Sequence, residues 1–309
     1  MDALSDVRKR VILITGATGF TGSHACRYFA GLGMQVAAIV RQVKPADHVD
    51  GVKYYRCDLR DRARVEELVH AVSPDYVLHL GGKNSVPESW QDPLTYMETN
   101  LLFTLYLLNA LRPFPSCRIL VAGSMTVFPL APPFRPTHPY GLSKSLQQTA
   151  AVSWGLLYKQ SVMIAEPANL IGPGPSTGFC ALLGRYIAAW EQGKAAQAFQ
   201  VSSRSAQRDF LDVRDAVKAY GYLLEHGNPG EIYPIRSGRY VSLGEIADLF
   251  IEISGSKPPI DWGDSDDWSK AGSQEPPGLQ LADWQPAISL RTSLQDILLY
   301  YRSQEGGSS

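Results

Sequence analysis

Val11-Ile12-Leu13-Ile14 is a short apolar run set between a charged leader and a glycine-rich stretch. A run of that kind suits a strand buried on both faces of a parallel sheet, where no polar face alternates with the apolar one. Further runs follow at Val36–Val40, Tyr76–Leu80, Ile119–Ala122 and Val162–Ala165. Between them, Ala63–Val72, Leu101–Leu111 and Leu142–Leu157 carry apolar residues at helical spacing. Parallel strands need crossover connections, so the alternation predicts a doubly wound α/β sheet.

Past Pro167 the pattern changes. Pro173, Pro175 and several glycines mark a loop, and Phe179–Trp190 has helical period. Arg208–Leu211 reads as a short extended segment that leads into a helix from Asp212 to about His226. Glu231–Ile235 is a further strand and Ser242–Ile253 a further helix. Gly255–Pro277, rich in Gly, Pro, Ser and Asp, is expected to be a loop or lid. A last helix is expected over Leu290–Tyr301, with a frayed tail at Glu305–Ser309.

Composition narrows the class of protein. In 309 residues the formal net charge is -1 and the apolar fraction 45%. That balance makes nucleic acid an unexpected partner, because phosphate backbones call for a concentrated basic surface. Every apolar run ends well short of a bilayer's thickness, so no membrane span is expected. The polar opening Met1–Arg10 does not read as a secretion signal. Cys26, Cys57, Cys117 and Cys180 lie far apart with no metal-ligand spacing, which suits reduced thiols in a cytoplasmic protein. The six histidines are scattered, and no metal site is expected.

Chemistry enters at Thr15-Gly16-Ala17-Thr18-Gly19-Phe20-Thr21-Gly22, directly after the first strand and at the start of a helix. In that setting Gly16 permits a tight turn, Gly19 lets the backbone approach a pyrophosphate, and Gly22 allows close helix–strand packing. The second strand ends on Arg41, with Lys44 nearby, where an NAD site usually carries Asp or Glu. A guanidinium suits a ribose 2′-phosphate, so NADP(H) is favoured over NAD(H). Asp58 and Leu59, after the third strand, are candidates for the adenine edge.

Tyr140 and Lys144 stand four residues apart on one helix face. A free phenol titrates near pH ~10, and a nearby ammonium would bring it toward the working range. Ser124 ends the strand Arg118–Gly123, at the sheet edge where ligands bind in open α/β folds. There its hydroxyl would meet the same substrate oxygen as Tyr140.

Taken together, the Gly16/Gly19/Gly22 loop, Ser124 and the Tyr140/Lys144 pair resemble the extended short-chain dehydrogenase/reductase superfamily, whose members mostly modify nucleotide sugars. His79-Leu80-Gly81-Gly82 is similar to the family's loop beside the nicotinamide, which adds Leu80, Gly81 and Lys83 to the cofactor set. Asn169–Gly174 and Arg208–Asp215 are similar to the segments that hold the sugar nucleotide's diphosphate. The best match is to GDP-4-keto-6-deoxy-D-mannose reductases and related 4-ketohexose reductases, carried by Lys83–Trp90, Asn169–Phe179 and Arg208–Tyr220.

That resemblance implies a Rossmann-type domain over 1–167, joined by a return segment at 212–236. It implies a smaller, mainly C-terminal α/β lobe over 168–211 and 237–309 that binds substrate. Lys83, Ser85, Ser124, Asn169, Phe179 and Arg208 would contact a nucleotide-diphosphate sugar. Helices Leu101–Leu111 and Leu142–Leu157 would build a four-helix interface in a homodimer, although core packing would give the same apolar pattern.

Met125 and Thr126 stand where dehydratases of the superfamily carry an acid, so water elimination is not expected. Glu166, Ala168 and Phe128-Pro129 depart from the family pattern around the pocket and leave the nucleotide base and sugar open. Two other readings stay open. One is an epimerase with tightly held NAD; the other is a nicotinamide-binding sensor without turnover, which the presence of Ser124, Tyr140 and Lys144 disfavours.

Overall fold

A computed structural model describes residues 9–42, 48–263 and 284–306. Lys44, the expected lid from residue 264 on and the last three residues of the tail lie outside them. The chain divides into two compact units, residues 1–166 with 217–233, and residues 167–216 with 234–309.

The first unit is built on a central sheet. Its strands are β1 (Val11–Thr15), β2 (Gln35–Val40), β3 (Val52–Arg56), β4 (Tyr76–His79), β5 (Arg118–Ala122), β6 (Ser161–Pro167) and β10 (Ile232–Ile235). Their order across the sheet is β10-β6-β5-β4-β1-β2-β3, and the pairs of β1 with β2 and β4 are parallel. All five residues of β1 are buried, as its unbroken apolar run requires. β3 had no such run to announce it, because it is an edge strand of sequence VKYYR whose residues are mostly half-buried or exposed.

The helices of this unit are α1 (Phe20–Gly31), α2 (Arg62–Val72), α3 (Val86–Gln91), α4 (Pro93–Tyr96), α5 (Phe103–Ala110) and α6 (Pro139–Tyr158). A π-helical turn, Met97–Leu102, joins α4 to α5. Leu107, Leu108 and Leu111 pack with Val77, Ile119 and Val162 in the core. Leu102, Leu156 and Leu157 are instead exposed. Sheet packing therefore accounts for only part of the apolar pattern in these helices.

The second unit contains a three-stranded sheet, β11-β9-β7, made of Tyr240–Ser242 (β11), Gln207–Asp212 (β9) and Asn169–Ile171 (β7). Two short strands, β8 (Phe199–Val201) and β12 (Ile260–Trp262), pair in parallel as a separate sheet in the same unit. β12 corrects part of the expected Gly255–Pro277 loop: Phe199 N–H donates to Pro259 O at 3.0 Å and fixes the segment as a strand. Helices α7 (Phe179–Glu191), α9 (Leu243–Ser254) and α10 (Leu290–Gly306) enclose a core of Leu183, Ile187, Ile246, Phe250, Leu294 and Ile297. Helix α8 (Val213–His226) leads from this unit back toward β10. Ser242 opens α9 with a reciprocal capping box to Glu245, which satisfies two otherwise unpaired helix N–H groups.

Among the described residues no helix is long and apolar enough to cross a membrane. The four cysteine thiols are free and buried, and burial pushes those of Cys26 and Cys117 up to about 12, far from the thiolate form.

Candidate active site

Where β1 ends, Gly16 takes φ +67°, a conformation open mainly to glycine. A side chain there would also strike the backbone of Leu80 and Gly81 at 2.9 Å. At Gly22 a Cβ would fall 2.1 Å from Gly16 O, so the turn and the first helical turn fit only as glycines. Gly19 is the N-cap of α1 and offers no side-chain cap, which leaves the first N–H groups of a twelve-residue helix without a side-chain acceptor. Such a terminus, reached across bare glycine backbone, fits a diphosphate. Thr18 and Phe20 are half-buried on either side of Gly19, and the Phe20 ring meets His24 edge-on at 5.6 Å.

Beyond this turn, Arg41 is exposed at the end of β2, and Asp58 follows β3, the neighbouring strand. The Asp58 carboxylate is gripped in a fork by Arg60, at 2.6 Å to Nη2 and 3.0 Å to Nε. Bonds from Arg60, with Arg41 adding a smaller electrostatic pull, hold it below the usual carboxylate range. Its expected role at the adenine edge therefore competes with a partner already in place. Leu59 is buried, with its Cδ1 packed toward Gly81.

Helix α6 carries the expected catalytic pair. His138 caps it, Nδ1 accepting from Gly141 N–H at 2.8 Å, and Pro139 occupies the first turn, where no N–H is needed. The His138 ring then stacks on Tyr140, 5.8 Å between centroids and 5° from parallel, while Tyr96 meets the Tyr140 ring edge-on. Held so, the Tyr140 phenol donates to Ser124 Oγ at 3.0 Å. Ser124 Oγ also accepts from Thr126 N–H at 3.0 Å, so its own proton is left to point elsewhere. One substrate oxygen fits against both hydroxyls.

Lys144 is buried one turn further along and donates to Ala122 O at 2.7 Å and Gln147 Oε1 at 2.6 Å. The phenol was expected to lie below its ordinary pKa. It lies above it, because desolvation by burial outweighs the bond to Ser124. Burial also pushes the Lys144 ammonium down to about 7. The i,i+4 spacing foretold the neighbour but not the low-dielectric setting that opposes both charges.

Lys83 is anchored through its backbone, whose N–H and C=O both pair with the Asn100 side chain, at 2.8 and 3.1 Å. Its ammonium forms an ion pair with Glu88 and lies 5.3 Å from the centre of the Tyr96 ring. Ser85 Oγ caps α3 by accepting from Glu88 N–H, and its own N–H donates to Tyr96 OH at 3.1 Å. Lys83 and Ser85, expected at the substrate, thus cluster with Tyr96 and Glu88. Gly82 makes this possible, since a Cβ there would sit 2.7 Å from Asn100 Oδ1.

In the second unit, Asn169 opens β7, which pairs with β9, the strand of Arg208. Asn169 Nδ2 donates to Asp209 O at 2.9 Å, and Arg208 Nη1 to Gln207 O at 3.0 Å. Burial lowers the Arg208 pKa, a cost that an anionic ligand would offset. Phe179 begins α7 and packs toward Phe199, 6.3 Å between centroids.

Sequence reasoning named His79 only as the start of the His79–Gly82 loop and passed over Thr104, Asn100, Gln147 and His138. Gln147 carried the best clue, standing three residues past Lys144 on the same helix face.

Residues 12–235 match the model of the NAD dependent epimerase/dehydratase family. The chain is 31% identical to the GDP-6-deoxy-D-mannose reductase of Pseudomonas aeruginosa, over 95% of this chain and 97% of that one. It is 26% identical to the UDP-glucose 4-epimerase of Bacillus subtilis, over 82% of this chain and 85% of that one. Among solved structures it resembles RMD from Pseudomonas aeruginosa, complexed with NADPH, with a TM-score of 0.75 and 29% identity over 96% of this chain and 100% of that one. A Thermus thermophilus UDP-glucose 4-epimerase with NAD superposes at a TM-score of 0.79 over 94% of this chain and 99% of that one; at 23% identity that likeness concerns the fold alone. With its NAD(P)-binding fold, this chain belongs to the NAD-dependent epimerase/dehydratase family, a family of nucleotide-sugar oxidoreductases.

Proposed function

We propose that the protein reduces the C4 ketone of a nucleotide-linked 4-keto-6-deoxyhexose with NADPH. The observation that carries this reading is the 3.0 Å contact between the Tyr140 and Ser124 hydroxyls, with Tyr140 held in its protonated form by burial. Ketone reduction needs a proton donor beside the carbonyl oxygen, and a phenol with a raised pKa is in that state at neutral pH. The 31% identity to a GDP-6-deoxy-D-mannose reductase supports the choice of substrate class.

In this reading, Gly16, Gly19 and Gly22 hold the cofactor diphosphate against the start of α1, and Arg41 binds the 2′-phosphate. Leu80 and Gly81 would hold the nicotinamide, which when bound would supply a hydride for the ketone carbon. Ser124 donates to the carbonyl oxygen and aligns it. Tyr140 gives its proton to that oxygen as negative charge develops, so the ketone becomes an alcohol, and solvent later reprotonates the phenol. Lys144 orients the nicotinamide ribose and compensates the charge left on Tyr140. Asn169 and Arg208 bind the substrate diphosphate, Arg208 through a charge-assisted fork. Phe179, Ser85 and Lys83 are assigned to the sugar nucleotide, with Lys83 exchanging Glu88 for substrate. The exposed Leu102, Leu156 and Leu157 are assigned to a homodimer contact.

The test is NADPH oxidation, followed by absorbance, with GDP-4-keto-6-deoxy-D-mannose and its dTDP, CDP and UDP counterparts. Stoichiometric oxidation with one of them is expected, and Tyr140→Phe should lose most turnover while still binding NADPH. No oxidation with any of them, together with NAD that survives purification on the protein, would replace the reductase with an epimerase.

A further inference from the structure

Behind the catalytic lysine runs a chain of largely buried hydrogen bonds that the mechanism above does not use. Gly81 N–H donates to Thr15 Oγ1 at 3.0 Å, and Thr15 Oγ1 lies 2.7 Å from His79 Nδ1. On the far side of the ring, His79 Nε2 lies 2.9 Å from Thr104 Oγ1. Thr104 Oγ1 donates to Asn100 O at 2.7 Å and accepts from Gln147 Nε2 at 2.8 Å. Gln147 Oε1 accepts from Lys144 at 2.6 Å.

With the buried imidazole neutral, the partners set the direction of each bond. A carbonyl such as Asn100 O can only accept, so the single Thr104 proton goes there. Both remaining partners of Thr104 must then donate, which puts a proton on His79 Nε2 and turns the Gln147 amide nitrogen toward Thr104. Gln147 Oε1 therefore faces Lys144. His79 Nδ1, left as an acceptor, takes the Thr15 proton, and Thr15 accepts from Gly81. With a neutral imidazole every member of the chain has its partner. The ring's complete burial agrees, holding its pKa down to about 3.

We propose that Gln147 is a positioning residue: its carboxamide, locked from behind by Thr104 and neutral His79, fixes the place of the Lys144 side chain and stabilises its charged form. Ala122 O and Gln147 Oε1 take two of the lysine's protons and leave the third for a further acceptor. Among the described residues, His79 of β4 feels the Lys144 charge; Tyr140 stands one turn earlier on α6, with Tyr96 of α4 against its ring. A neutral amide acceptor in this setting supports the ammonium without cancelling its field at Tyr140, which a carboxylate would do. Because the chain begins at Gly81, it also joins the glycine-rich loop after β4 to the catalytic helix.

The inference rests on the catalytic assignment of Lys144, and its test reads the lysine itself, without substrate. Lysine labelled at 13Cε is titrated by NMR in the full-length protein, with the Lys144 signal assigned from its loss in Lys144→Met. Gln147→Leu should lower the Lys144 titration by about one to two pH units, the shift that corresponds to losing one charge-assisted hydrogen bond. Gln147→Glu should raise it by about one unit or more. Thr104→Val, which frees the amide to turn and takes the acceptor from His79 Nε2–H, should lower it by a smaller amount, and Thr104→Ser should restore the wild-type value. Should Gln147→Leu not fold, Gln147→Glu and the Thr104 pair still decide the matter. An unchanged Lys144 titration in the folded variants overturns the proposal. Failure of the reductase reading shows elsewhere, as absent NADPH oxidation by the wild-type protein, and leaves these titrations as they are.

Discussion

His79 is 1% exposed, both its ring nitrogens are engaged, and burial, with Lys144 adding to it, pushes its pKa down to about 3. In the unfolded chain the same ring titrates at about pH 6.5. The folded pKa is depressed, so between these limits the unfolded state binds the extra proton. The contribution of neutral His79 is fully present above about pH 6.5 and is lost as pH falls toward 3. Each pH unit well inside that window costs about 1.4 kcal/mol, so acidifying from about 6.5 to about 4.5 removes roughly 2 kcal/mol. For a domain of ordinary stability, about 5–15 kcal/mol, that is a large share. Lys144, at about 7, is charged in both states over all but the top of this window and adds little to the slope below about pH 6. The measurement is urea denaturation followed by circular dichroism at several pH values, for wild type and His79→Gln. The variant should start less stable, because Thr15 loses its acceptor, yet its stability should fall less steeply with acid by about 1.4 kcal/mol per pH unit. Carboxylates contribute equally to both proteins and cancel in the comparison. Parallel acid slopes would refute the idea that a neutral, buried imidazole sits at this position.

Three other perturbations bear on the site and its frame. Gly22→Ala places a methyl group 2.1 Å from Gly16 O, with only backbone to give way, so NADPH binding measured by fluorescence titration should be lost. Arg41→Asp should reduce the preference for NADPH over NADH by about tenfold or more, since it exchanges a phosphate partner for a repelling carboxylate. An unchanged ratio would remove Arg41 from the cofactor site. In the second unit, Asp212 accepts from Arg214 Nε at 2.8 Å and Ser293 Oγ at 2.6 Å. Burial pushes its pKa up, and these bonds more than offset that, leaving it below the usual range. Asp212→Asn should therefore destabilise that unit by about 3 kcal/mol near neutral pH, and by progressively less as acid below about pH 4 protonates the wild-type carboxylate.

How much of this was legible depends on how local each cause is. β1, β2 and β4 could be read directly because strands buried on both faces must be apolar throughout. β3 could not, since an edge strand needs only one covered face, and its Lys53 and Arg56 broke the run. The strands β8 and β12 are three residues each and owe their form to one another, across an interval far longer than any periodicity window. In the site, Gly16, Gly19 and Gly22 were readable because steric demands of the backbone fall on fixed positions. Ser124, Tyr140 and Lys144 were readable from spacing and from the resemblance to a family. The bonds from His79 to Thr104 and from Thr104 to Gln147 join three separate elements, 25 and 43 positions apart in sequence. Nothing local marks such a chain. The direction of the Tyr140 shift was misjudged for a related reason: spacing reveals a neighbouring charge but not the loss of water around it.

The order β10-β6-β5 has a consequence for how the chain must be made. β6 ends at Pro167, but its outer neighbour β10 begins only at Ile232, after much of the other unit has been threaded. A chain emerging from the ribosome therefore carries an open strand edge throughout that interval, and an open edge is a template for pairing with other chains. No single cut separates the two units as whole pieces. Truncation after residue 166 would leave that edge bare for good, so the isolated front half should aggregate where the whole chain does not.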